Sequence, residues 1–208
     1  MRKYEEICGF VEREIVPRYE AFDAGHGRNH VQTVISQALD LAQYYPDVER
    51  CMLLVAAAYH DLGLVNGREH HHTDSARIVR EDERLRQWFS EEEISTIADA
   101  AEDHRASSDH EPRTIYGRIT AEADRIIDGE TIVRRALQYG MKHEPGLDRE
   151  GQYRHLMEHM HEKYDYGGYL KLWIPQGDNA KRLEEFRQTL ADEKAIRNLF
   201  ETIYDSLY

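Results

Sequence analysis

Apolar residues recur along this chain at three- and four-residue intervals and almost never alternate with polar ones. That spacing predicts amphipathic helices, because a half-buried strand needs a period of two. Residues 3–16 read as a helix that Pro17 ends. The stretch DAGHGRN (23–29) reads as a loop, followed by a helix over about 29–44 that stops before Pro46. A third helix, about 47–61, is nearly continuously apolar through CMLLVAAAY and is read as central and buried. Gly63 and Gly67 then break the chain, and a fourth helix begins near His72, with Asp74 and Ser75 in its first turn. Ser90 followed by Glu93 forms a capping box for a fifth helix over about 91–105. The polar stretch SSDHEPR (107–113) is a loop, and a sixth helix covers about 114–128. Helical patterns continue over 130–142, 150–163, 179–191 and 192–206, while YDYGGYLKLWIPQGD (164–178) has room for a short extended piece. No internal repeat is visible. The chain is read as all-α, one domain over 1–208, with a C-terminal helical extension from about 145.

Length and composition support that reading. A chain of 208 residues with 40% apolar side chains has enough material for one core. Collagen-like, low-complexity and disulfide-stapled classes are excluded. The longest apolar run, Met52–Tyr59, is far shorter than a membrane-spanning helix requires. The opening MRKYEEICGF lacks the apolar region of a signal peptide. Cys8 and Cys51 fit a reducing compartment as small core residues, so a cytoplasmic location is expected. Forty acidic against 27 basic residues give a net charge of −13, which argues against a nucleic-acid polymer or an anionic membrane as partner.

Twelve histidines are the unusual feature. Several interrupt faces that otherwise point to a core. His30 shares a helical face with Val34, Ala38 and Leu41. Leu53, Ala57 and His60 share another, and Asp61 follows at once. His72 lies with Ala76 and Val79, His104 with Ile94, Ile97 and Ala101, and Asp124 among Ala121, Ala123, Ile126 and Ile127. A single histidine on an apolar face is most often a hydrogen-bonded core residue. Five helices each contributing an acid or imidazole outweigh that reading, because a buried carboxylate must be neutralised, paired or bound to a cation. Imidazole with carboxylate and no nearby thiolate suits Mn²⁺, Fe²⁺, Ni²⁺ or Zn²⁺ and disfavours a structural zinc site.

The order His30, His60-Asp61, Asp124 resembles the H…HD…D motif of the HD-domain superfamily of metal-dependent phosphohydrolases. The surrounding text agrees. HVQTVISQALDLA (30–42) resembles the family's first-histidine helix, and AAAYHDLGL (56–64) its His-Asp helix. HHTDSARIV (71–79) resembles the start of its next helix, read as His-x-x-Ser-Ala from His72. AAEDHRAS (100–107) and ITAEADRIID (119–128) resemble the later segments, the second of which supplies the last aspartate. The resemblance covers a core of about residues 20–130.

What the resemblance implies is an HD-domain helical bundle holding one divalent ion on His30, His60, Asp61 and Asp124. His72 and His104 would be either ligands to a second ion or ligands to substrate phosphate, and His70 and His71 would belong to a polar loop. The ion, one or two per chain, could be Mn, Fe, Ni, Co, Mg or Zn. The implied activity is hydrolysis of a small phosphate ester, a nucleotide or related phosphomonoester, by metal-bound hydroxide. Asp61 would orient or deprotonate that water, and His72 and His104 would stabilise phosphoryl charge. Arg28 and Arg105 would contact phosphate. Asp103 would hold an imidazole tautomer or remain an exposed acid, and Asp128 would face solvent or pair with Arg125 or a neighbour.

There are departures from the family text: Thr33 stands where an arginine is common, and His26-Gly27 where His-Asp is common. The Gly-Tyr-Pro extension of the cyclic-di-GMP-cleaving branch is absent. Two other readings compete, a non-catalytic metal-bearing ligand sensor or interaction module, and a di-iron oxygenase. The aromatic 163–169 segment with Trp173 is read as core packing rather than a pocket wall. Leu183, Phe186 and Leu190 form one C-terminal stripe, and Ile196, Leu199, Phe200 and Ile203 another. Both stripes suit packing on the body or a homodimer contact.

Overall fold

The computed structural model describes residues 2–23, 25–108 and 110–207. The loops expected at 23–29 and 107–113 each contain one position, 24 and 109, outside the described residues. Among the described residues there are ten α-helices and no strand, and the 164–178 segment beyond Tyr164 is turns and irregular backbone. The helices are α1 (Arg2–Phe10), α2 (Arg28–Leu41), α3 (Arg50–Tyr59), α4 (His71–Glu81) and α5 (Glu91–Glu102). They continue with α6 (Ile115–Asp124), α7 (Gly129–His143), α8 (Arg149–Tyr164), α9 (Asn179–Ala191) and α10 (Glu193–Leu207). None is long and apolar enough to cross a membrane. The chain divides into two compact units, Met1–Arg125 and Ile126–Tyr208.

In the first unit α3 is the axis. Every residue from Cys51 to Tyr59 is buried, and the helix is packed against α1, α2, α4, α5 and α6. Burying side chains such as Leu53, Ile94 and Ile97 contributes about 1.5–3 kcal/mol each. Glu49 caps α3 by accepting from the Met52 amide, and Ser90 and Glu93 form the expected reciprocal capping box on α5. Two boundaries differ from the sequence pattern. Pro17 does not end the first helical stretch: beyond α1 the chain continues as a π turn (Val11–Ile15) and a 3-10 turn (Val16–Ala21). Proline, which has no N–H to donate, is tolerated in the first turn of that new segment. Likewise α6 stops at Asp124 rather than near 128, because Arg125 leaves helical geometry and its guanidinium donates back to the carbonyl of Ala121.

In the second unit α7 contacts α8 and α10, and α9 contacts α8 and α10. Its core holds Leu137, Leu156, Met160, Leu183, Phe186, Leu190, Ile196, Phe200 and Ile203, which include both stripes except the half-buried Leu199. Asp128 is exposed, as expected, and caps α7 by accepting from the Thr131 amide. Of the aromatic segment, Tyr164 is buried edge-on to Phe186, whereas Tyr166 is 69% exposed.

Candidate metal centre

Five local events in the first unit bring six side chains to one place. His30 sits in the first turn of α2. His60 caps the C-terminus of α3, and Asp61 opens the following 3-10 turn, Leu62–Asn66. Asp124 is the last residue of α6, His71 the first of α4, and His104 lies just past the end of α5. Gly63 explains why α4 begins so close. A Cβ there would lie 2.0 Å from the His71 carbonyl oxygen and 2.6 Å from the Ser75 nitrogen. Only glycine permits that backbone approach, and the Gly63 amide uses it to donate to Ser75 Oγ at 2.9 Å.

The ligand atoms form two groups. His30 Nε2 lies 3.2 Å from His60 Nε2, 3.2 Å from Asp124 Oδ1 and 3.4 Å from Asp61 Oδ2. His60 Nε2 lies 3.1 Å from the same Asp61 oxygen. The other oxygen of Asp61 faces a second set, 3.4 Å from His104 Nε2 and 3.6 Å from His71 Nε2, which are themselves 3.2 Å apart. Donors held about 2.1 Å from one cation stand about 3.0–3.4 Å from each other, close to these spacings. His30, His60, Asp61 and His104 are buried, whereas the Asp124 side chain is a quarter exposed, so the cluster reaches solvent there.

The tautomers are fixed by backbone. His60, His104 and His71 donate Nδ1–H to the carbonyls of Ala57, Ala101 and Arg68, each three residues earlier, at 2.8, 2.6 and 2.7 Å. A carbonyl can only accept, so each Nε2 presents a lone pair to the cluster when the ring is neutral. His71 and His104 therefore aim two lone pairs at each other, an arrangement that a proton or a cation must relieve. His30 differs, for its buried Nδ1 has no hydrogen-bond partner among the described residues. Its ring meets His26 edge-on at 5.8 Å, and His26 is held by Asp23 at 2.8 Å.

Charge follows the same geometry. Burial opposes protonation of His30, but hydrogen bonds and charge from Asp124 and Asp61 outweigh it and raise the imidazole to about 9. Burial likewise opposes the raised His104, which Asp61 supports. Burial and the neighbouring His104 push His71 down to about 4. The carboxyls of Asp61 and Asp124 stay well below the usual range: burial would raise both, but His60, His104 and His30 overcome it. Two carboxylates kept ionised among imidazoles at these distances are a donor set suited to a divalent cation.

His30, His60, Asp61 and Asp124 converge as one group, and Asp61 and His104 meet a second. His72 does not join it; the second imidazole is His71, which the sequence reading assigned to a loop. One residue of helix turns a side chain by about 100°, so the two cannot share a direction. His72 instead receives a hydrogen bond from Arg105 at 3.3 Å. The spacing that could have found His71 is His71–Ser75, a one-turn pair whose serine is fully buried. Arg105 also donates to the Glu69 carbonyl at 2.9 Å. Arg28 is engaged by Glu20 at 3.2 Å and Glu12 at 3.7 Å, an exposed set of ion pairs. Asp103 is neither exposed nor bonded to a cluster imidazole; it is 2% exposed and accepts from the Arg113 backbone and guanidinium at 2.6 and 3.0 Å. Arg125, missed in the sequence, is buried and donates to the His104 carbonyl at 3.0 Å.

No curated protein and no solved structure matches the chain. The HD domain family model matches residues 27–129, a span that contains all six clustered side chains. With that match and the His-Asp cluster at its centre, the chain belongs to the HD-domain superfamily, whose members are typically metal-dependent phosphohydrolases.

Proposed function

We propose that this protein is a metal-dependent hydrolase of a small phosphate ester, with a nucleotide or related phosphomonoester as its substrate class. The observation that carries the reading is the two-sided Asp61 carboxylate, one oxygen facing His30 and His60 and the other His71 and His104. His30, His60, Asp61 and Asp124 would hold a divalent ion. Asp61, His71 and His104 offer a place for a second ion or for a phosphoryl group. When bound, such an ion supplies Lewis acidity to a water and to a phosphoryl oxygen.

The chain's own residues do the rest. Asp61 orients a water and takes its proton, being the buried carboxylate beside both groups. His104, in its protonated form, donates Nε2–H to phosphoryl oxygens from inside. At the rim Arg105 and His72, already in contact, supply donors for substrate phosphate. The negative net charge favours a small molecule over a nucleic-acid polymer or membrane. Two free thiols, Cys8 and Cys51, accord with a cytoplasmic location.

The test is a phosphate-release screen over nucleotides and sugar phosphates with Mn²⁺, Co²⁺, Ni²⁺ or Mg²⁺ added. Turnover that disappears in folded His60→Ala and Asp61→Ala supports the proposal. Metal uptake with no turnover across the panel would replace it with the ligand-sensor reading.

A further inference from the structure

The His-Asp turn is gripped by a side chain from outside the matched ligand helices. Tyr19, on the 3-10 turn Val16–Ala21, is fully buried. Its hydroxyl donates to the Ala58 carbonyl at 2.9 Å and accepts from the Asp61 amide at 3.3 Å. These two backbone groups bracket the segment that carries His60 and Asp61. Helix α3 ends here, and Asp61 has turned to φ −108, ψ 4. In a continued helix the Asp61 amide would donate to the Ala57 carbonyl. That carbonyl receives His60 Nδ1–H instead, at 2.8 Å. Tyr19 thus takes the amide that the tautomer-fixing bond of His60 displaces. Its ring lies 6.3 Å from the His60 ring, tilted by 31°, and Phe22 packs edge-on against it at 5.4 Å.

We infer that Tyr19 is a positioning residue of the metal centre: one phenolic hydroxyl ties both ends of the turn and so sets where His60 Nε2 and the Asp61 carboxylate point. This inference rests on the metal reading above. Removing the hydroxyl leaves a buried amide and a buried carbonyl without that partner. Outer partners that orient metal ligands typically change affinity about 10- to 100-fold when lost. The first unit supplies its own control. Tyr59 is also fully buried, and its hydroxyl donates to Asp82 Oδ2 at 2.7 Å, a carboxylate outside the clustered ligands. A role confined to core packing would make the two phenols equivalent.

The experiment is Co²⁺ titration of the wild-type chain, Tyr19→Phe and Tyr59→Phe, read by visible absorption and by competition with a chromogenic chelator. Tyr19→Phe is expected to weaken Co²⁺ binding about 10- to 100-fold and to alter the absorption bands. Tyr59→Phe is expected to stay within about twofold of wild type. Unchanged affinity in folded Tyr19→Phe, or equal weakening in both variants, would overturn the inference alone. A wild-type chain that takes up no Co²⁺ would overturn the metal reading and this inference with it. If Tyr19→Phe does not fold, amide hydrogen exchange in the wild-type chain decides. A protected Asp61 amide supports the grip, and exchange at the open-chain rate overturns it.

Discussion

Among the described residues, nine of the ten buried polar or charged side chains lie in Met1–Arg125, and only Gln152 lies in Ile126–Tyr208. Histidines are spread differently: the second unit has His143, His155, His159 and His161, none of them buried. His161 pairs with Asp165 at 2.8 Å, one helical turn away on an exposed face. A His–Asp contact is therefore not by itself a sign of chemistry. Burial turns the same residue types into a centre, because in the first unit water is not there to satisfy them and they must satisfy one another or a cation.

The sharpest way to break this contrast is to remove the carboxylate that joins both ligand groups. Asp61→Ala should abolish divalent-metal uptake, measured by metal analysis after dialysis, while Asp165→Ala leaves uptake unchanged. Stripping the wild-type chain with a chelator should come next in size. Metal held at about a hundred times its dissociation constant adds about 2.7 kcal/mol, or about 5–10 °C in melting temperature for a chain of this length. Hydrogen exchange should place the loss on α2, α3 and α6 and spare α7–α10; equal loss in both units would refute the contrast. Gly63→Ala follows, because its Cβ would collide with the His71 and Ser75 backbone. It should cost about 3 kcal/mol in denaturant unfolding and weaken metal uptake.

The helix count and the buried axis α3 were legible because an apolar run and a 3.6-residue period are local properties. His30, His60, Asp61 and Asp124 stood out for the same reason, as polar breaks in apolar faces. The choice between His71 and His72 was not legible in that way. Both precede the same apolar stripe, and what selects His71 is the glycine-permitted approach of α4 to the 62–66 turn, a contact between backbones. Tyr19 was hidden by Pro17, which reads as a helix end although the chain goes on winding as a 3-10 turn. The end of α6 depends on the Arg125 side chain reaching the carbonyls of Ala121 and His104, which no spacing encodes.

His71→Ala and His72→Ala separate two roles that adjacent positions cannot share. His71→Ala should lower metal affinity at the Asp61–His104 side, seen as loss of the weaker step in a two-step titration or as about a tenfold weaker single step. His72→Ala should leave the titration unchanged and raise the KM for substrate. The reverse result would return the cluster to the register first read from the sequence.

The smallest effect compares two aspartates that differ mainly in burial. Asp82 in the first unit has a side chain only 8% exposed, and Asp165 in the second is 41% exposed. Burial would raise the Asp82 carboxyl, but hydrogen bonds from Arg84 and Tyr59 outweigh it and hold it below the usual carboxylate range. The His161 hydrogen bond lowers Asp165 too. A carboxyl depressed in the folded state contributes stability above its unfolded pKa of about 3.9, and loses it as pH falls through the folded value. Asp82→Asn should therefore cost about 1–2 kcal/mol at neutral pH, with the difference from wild type shrinking as pH falls below about 4. Asp165→Asn should cost about 0.3 kcal/mol or less, because solvent screens the exposed pair. Urea unfolding of both variants at pH 7 and pH 3 checks the pair. Equal losses would mean that burial is not what separates the polar chemistry of the two units.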